Sequence, residues 1–133
     1  MTDFFVDIIA RDEKVYSGSA DYLLLPGWDG ETGILHNHAP LISMLKPGIC
    51  KLKNGDEEYI WAMSEGFASI TGNNIKIAVL FAYRQEEIDK ELAEETLKQA
   101  QAIIETKSNF EDTDEDYLKL LRAKTCLSLV KNE

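Results

Sequence analysis

The sequence predicts an all-β sandwich of about ten short strands, followed by an antiparallel two-helix hairpin. Three observations carry this. Up to residue 84, short apolar runs are broken by turn residues at roughly 8- to 12-residue intervals. No stretch before residue 85 is long and helical enough for a βαβ crossover. From residue 85, Glu, Lys, Gln, Ala and Leu take over, and Gly and Pro vanish. The predicted units are residues 1–84, the sandwich, and 85–133, the hairpin.

The strands read in order. Phe4, Val6, Ile8 and Ala10 alternate with Phe5, Asp7 and Ile9. Val15-Tyr16 is expected as a short strand closed by a turn at Ser17-Gly18, and Ser19 to Leu25 as a third strand. The stretch from Pro26 to Pro40 holds three glycines, two prolines and both histidines. Such a run is expected to be a surface loop, because Gly permits positive φ and Pro removes a donor. Loops on rigid strands are frequent binding sites. Leu41 to Leu45 follows as a strand, then a Pro47-Gly48 turn, then Ile49 to Lys53. Asn54-Gly55 is a two-residue hairpin signal. Its return strand, Glu57 to Met63, places Tyr59 and Trp61 on one face. Phe67 to Thr71 and Ile75 to Ala82 complete the strands.

In the helical part, Ile88, Leu92, Ala93, Thr96, Ala100, Ile103 and Ile104 form an expected apolar stripe. Thr113-x-x-Asp116 resembles a capping box opening the second helix. That helix carries Tyr117, Leu118, Leu120, Leu121, Leu127 and Val130. A hairpin this small is not stable by itself and must lean on the sandwich or on a partner. It is therefore a candidate moving part.

Composition excludes several functions. A net charge of −10 argues against nucleic-acid binding, which needs a basic footprint. No apolar run approaches the roughly 20 residues of a membrane span, and the N-terminus lacks signal- and transit-peptide features. Cys50 and Cys126 form no CxxC and are expected to be reduced. Charge is unevenly placed. Residues 85–116 hold twelve acids against three lysines, a balance of −9, whereas 117–132 carry Lys119, Arg122, Lys124 and Lys131 with no acid, +4.

Catalytic patterns are absent or weak. His36 and His38 with Asp29 or Glu31 make an incomplete metal set, since the chain has no third His. Ser64 and Ser69 lack a nucleophile elbow. Gly27, Gly30 and Gly33 mimic a dinucleotide fingerprint, but no helix opens on them. Neither a catalytic residue nor a metal ligand is expected. Trp28, at the loop tip, suits either a partner contact or insertion into the core.

The chain also resembles a known family. Pro26-Gly27, Gly30-Glu31-x-Gly33-Ile34-Leu35, His38-Ala39-Pro40-Leu41, Leu45 and Gly48 follow in the order found in the bacterial epsilon subunit of F-type ATP synthases. Val15 to Gly18, Ser64-Glu65-Gly66-Phe67 and Glu86-Glu87-Ile88-Asp89 extend the resemblance over essentially the whole chain. It implies a non-catalytic central-stalk subunit of a proton- or sodium-translocating synthase. The sandwich would couple the gamma subunit to the c ring, with Trp28 and Glu31 toward the ring and His38 and Leu41 toward gamma. The hairpin would regulate, packing on the sandwich when folded. When extended it would rise along gamma to the alpha and beta subunits and block ATP hydrolysis.

Lys119, Arg122 and Lys124 are the expected regulatory cations. They would be drawn either to an acidic loop of beta or to the acidic half of their own hairpin, a balance of about 1–3 kcal/mol. Some members bind ATP through Ile/Leu-Asp-x-x-Arg-Ala. Here Ile88, Asp89 and Ala93 match, but Leu92 replaces the Arg and cannot contact phosphate. No cofactor and weak or no ATP binding are therefore expected. The isolated chain is expected to be a monomer, and in the complex a peripheral protein on the cytoplasmic side of a bacterial plasma membrane, without membrane insertion.

Overall fold

The computed structural model describes residues 4–28, 30–34, 40–111 and 114–131; for 30–34 and 131 it describes the backbone. Ten strands form one continuous sheet folded over on itself. They are β1 (Phe4–Ala10), β2 (Glu13–Ala20), β3 (Tyr22–Gly27), β4 (Gly30–Ile34), β5 (Leu41–Leu45), β6 (Gly48–Asn54), β7 (Glu57–Met63), β8 (Gly66–Thr71), β9 (Asn74–Val79) and β10 (Ala82–Tyr83). The order is β10-β7-β6-β3-β5-β8-β9-β1-β2, with β4 also on β3. The two halves join at one residue pair, Gly27 with Leu45. All the pairings are antiparallel except β1 with β9, which run parallel.

The alternation read from the sequence faces inward as expected. Val6, Ile8, Leu23, Leu25, Leu52, Ile75 and Ile77 fill the space between the layers. Trp61 is buried there, stacked on Tyr59 at 5.8 Å and edge-on to Tyr16 at 5.7 Å.

Two turn assignments are corrected. Ser17-Gly18 is not a turn, because β2 runs straight through it. Tyr16 lies over the bare glycine and donates its hydroxyl to the Ser19 carbonyl at 2.8 Å. The actual turn is Arg11-Asp12, with φ of 49° and 68°. Asp12 suits such a turn but Arg11 does not, and neither is Gly, so the sequence signalled it only weakly. The β6–β7 hairpin turns at Gly55-Asp56, since Asn54 pairs with Glu57. Only Gly55 takes positive φ, and its N–H donates to Asp21 at 2.9 Å.

The Gly/Pro-rich stretch is also corrected. It is not wholly irregular: β3 continues through Pro26 and Gly27, and β4 returns from Gly30 to Ile34. Pro26 has no N–H to give, but its carbonyl accepts from Lys46 at 2.9 Å.

After a 3-10 turn at Gln85–Glu87 come α1 (Lys90–Glu105) and α2 (Glu115–Lys131). Asp89 caps α1, accepting the Leu92 N–H at 3.1 Å. Thr113 lies outside the described residues. Asp114 performs the capping of α2, accepting the Asp116 N–H at 2.9 Å. Lys107 bridges Asp114 at 2.6 Å and Asp116 at 3.3 Å, which ties the end of α1 to the start of α2. Helix α2 packs on β6 and β7, and α1 packs on α2. The stripe on α1 shifts slightly from expectation. Ala93, Thr96, Leu97, Ala100 and Ile104 face inward, whereas Leu92 and Ile103 are exposed.

Candidate functional site

Two surfaces stand out: the outer face of one layer, and the seam under the hairpin. Register defines the first. Met44 pairs with Phe67, Phe67 with Ala78, and Ala78 with Ile9. Directly paired residues share a face of the sheet, so these four form one row pointing away from the core. The next row runs Ile42, Ser69, Lys76, Asp7. Ile42 is 73% exposed and Met44 61%, with Phe67 and Phe5 also exposed. No helix packs on this layer among the described residues, although β5 is apolar on both faces. A strand apolar on both faces normally has both faces covered. Contiguous exposed apolar residues on a folded sheet mark an interaction surface.

Of the predicted contact residues, Leu41 and Trp28 are described with their side chains and Glu31 in its backbone. Leu41 opens β5 and is exposed. Trp28 is half-buried in the β3–β4 turn, and its backbone N–H donates to Met44 at 3.2 Å. Glu31 pairs with Pro26 in the hairpin; its side chain is not described. Asp29, His36 and His38 lie outside the described residues. Sequence reading missed Ile42, Met44 and Phe67, although the two-faced apolarity of Leu41 to Leu45 was the available signal.

The seam is built differently. Ala62 of β7 meets Cys126 and Leu129 of α2, with Ile49, Ile60, Phe81, Ile88 and Ala93 around them. Beside it runs a cleft of about 440 Å³ lined by Ile88, Asp89, Leu92, Ala93, Lys119 and Arg122, among others. The fold thus gathers the degenerate Ile88-Asp89-x-x-Leu92-Ala93 motif and two of the basic residues. Arg122 is already engaged. Its Nε donates to Glu65 Oε1 at 2.9 Å, Nη2 donates to Glu65 Oε2, and Nη1 donates to Glu115 Oε2 at 2.9 Å.

The expected attraction to the acidic segment 85–116 is met in part: Arg122 pairs with Glu115 of that segment, and also with Glu65 of the sandwich. Lys119 and Lys124 are exposed and have no ion-pair partner among the described residues.

The Arg122 hydrogen bonds hold the Glu65 carboxyl below its ordinary range. The stability this pair contributes is present above the ordinary carboxylate pKa. It is lost as pH falls through the lower folded value. Burial pushes the Cys50 thiol up to about 12 and raises Cys126 as well, so both are inert thiols.

Residues 3–85 match the family model for the ATP synthase delta/epsilon chain beta-sandwich domain. The chain belongs to the ATP synthase epsilon chain family. An epsilon chain from Acaryochloris marina is 36% identical over 84% of this chain and 81% of its own length. One from Laribacter hongkongensis is 32% identical over 85% and 82%. In fold, the chain is similar to one in the mitochondrial ATP synthase OSCP/F1/c-ring structure of Euglena gracilis. There the TM-score is 0.69 at 21% identity, covering 98% of this chain and 79% of that one. A chain of the Tetrahymena thermophila central stalk/c-ring structure gives 0.57 at 14%, covering 96% and 93%. The helices after the sandwich fit this family's architecture. No helix among the described residues is long and apolar enough to cross a membrane.

Proposed function

We propose that this epsilon chain is a non-catalytic central-stalk subunit. It couples gamma to the c ring of a bacterial, plasma-membrane ATP synthase, and its hairpin restrains ATP hydrolysis. The observation that carries the reading is the uncovered row Met44–Phe67–Ala78–Ile9 with Ile42 beside it. An apolar sheet face of this kind requires a permanent partner, and gamma is the partner proposed for it. The Trp28 turn, bonded to the same strand, continues this surface toward Glu31 and the c ring. His38 and Leu41 belong to the gamma side. The unpaired Lys119 and Lys124 are the cations available to alpha and beta when the hairpin extends.

The test is a pull-down of the tagged full chain from membrane extract, with ATPase activity measured on the recovered complex. Gamma, alpha and beta are expected with the unaltered chain. Recovery should fall at least about tenfold with Met44→Glu and Phe67→Glu together, because a charge is then buried in the apolar contact. Equal recovery would remove this face from the gamma contact. Lys119→Glu with Lys124→Glu, or removal of residues 85–133, is expected to raise the ATPase rate. An unchanged rate would leave coupling alone.

The cleft beside the seam is proposed not to hold ATP tightly. Leu92 offers no charge, and the Arg122 guanidinium is committed to two carboxylates. Calorimetric titration of the full chain should show no micromolar ATP binding; a micromolar isotherm would overturn this.

A further inference from the structure

We propose that Glu65 and Arg122 form the latch that holds the hairpin on the sandwich, and that Glu115 travels with Arg122 when it opens. The latch rests on the proposed reading of the hairpin as a moving part.

The geometry separates the two carboxylates by role. Glu65 lies in the turn between β7 and β8, fixed to the sandwich. Its neighbour Ser64 is fully buried; its Oγ accepts the N–H groups of Leu80 at 2.7 Å and Phe81 at 3.1 Å. Gly66, on the other side, packs directly against the Ala78 carbonyl. The Glu65 carboxylate is thus presented from a turn that cannot shift. Arg122 meets it with two parallel hydrogen bonds, the geometry in which a guanidinium and a carboxylate bind most selectively. Glu115 is on α2 itself, two turns earlier, and is mostly exposed. It orients the guanidinium from the moving side.

Opening therefore breaks one two-point contact and leaves Arg122 neutralised rather than bare. On release the guanidinium enters water, so opening leaves no buried unpaired cation on α2. The apolar seam beneath, Ala62, Cys126 and Leu129 with Ile49, Ile60 and Phe81 around them, holds α2 by non-directional packing. The bidentate pair is the directional contact beside it. Lys119 and Lys124, three residues before and two after, have no ion pair among the described residues and do not duplicate the contact.

Hydrogen exchange on the isolated full chain tests the latch. Glu65→Gln and Arg122→Gln are each expected to speed exchange of α2 amides between residues 120 and 129 about tenfold. Amides of the inner strands β1 and β9 should keep their rates. Glu115→Gln should change α2 exchange by less than about threefold. The reversed pair, Glu65→Arg with Arg122→Glu, made together with Glu115→Gln so that no like charge faces position 122, should restore slow exchange. Unchanged α2 rates in both single variants would overturn the latch. So would an equal acceleration in β1 and β9, which would make the pair a general prop of the fold. The ATPase rate of the assembled motor separates this from the functional reading. Faster α2 exchange in Glu65→Gln with an unaltered ATPase rate keeps the latch and removes the inhibitory role.

Discussion

Gly66→Ala should destabilise the sandwich by about 3 kcal/mol or more, an upper-range cost for overpacking. A methyl at Gly66 would stand 2.0 Å from the Ala78 carbonyl oxygen and 2.8 Å from Val79 Cγ1. The oxygen belongs to the backbone and cannot rotate away. Gly66 also pairs with Leu45 of β5 on one side and Val79 of β9 on the other. Relief of the clash therefore opens the sheet in both directions. Gly72→Ala is the informative comparison. Gly72 has φ of 60° and open space around it, so its loss costs only backbone strain, about 1 kcal/mol. Urea unfolding of both variants measures the difference. Similar midpoints for the two would show that the β8–β9 contact yields without cost.

Trp61→Ala is the second large effect, at about 3–5 kcal/mol. That is a substantial part of the roughly 5–15 kcal/mol that holds a domain of this size. Trp61 is almost fully buried and packs against both Tyr59 and Tyr16, so its removal leaves a cavity and takes one ring contact from each. The two remaining rigid rings, Tyr16 and Tyr59, cannot close such a space by small adjustments. The chain has two tryptophans. In the variant, Trp28 alone reports unfolding by fluorescence, from the β3–β4 turn rather than from the core. A loss below about 1 kcal/mol would mean that the site collapses freely.

Local signals made most of the architecture legible. Alternation placed Val6, Ile8, Ile75 and Ile77 correctly, and the composition shift at residue 85 announced the helices. Turn chemistry was legible only where the turn used the usual residues. Gly55 and Gly72 fit that pattern; Arg11-Asp12 did not, and Ser17-Gly18 imitated a turn while lying flat under Tyr16. The stretch rich in Gly and Pro read as irregular because propensity is local. Pairing to β4 and β5 supplies what Pro26 and Gly27 lack.

For the functional surfaces, the difficulty was distance along the chain. Glu65 and Arg122 are 57 residues apart, and no local pattern says that a turn acid will meet a helical arginine. The expectation of attraction within the hairpin counted charges by segment. It reached the Glu115 partner but not Glu65, which no count of charge by segment can single out. The exposed face was legible in principle, since Leu41 to Leu45 is apolar on both sides; only the register with β8 and β9 shows which side is left open.

The parallel pairing of β1 with β9 sets the order in which the molecule can be made. Phe5 meets Asn74 and Ala10 meets Val79, so the first strand waits for one synthesised about seventy residues later. Until then β1 has only β2 beside it, and a lone two-stranded ribbon is marginal in water. During synthesis the nascent chain therefore carries Phe4, Val6 and Ile8 without their final neighbours until β9 has left the ribosome. Closure across that span is the slow, entropically costly step. The hairpin, encoded after every strand, emerges onto a sandwich whose docking strands β6 and β7 are already paired.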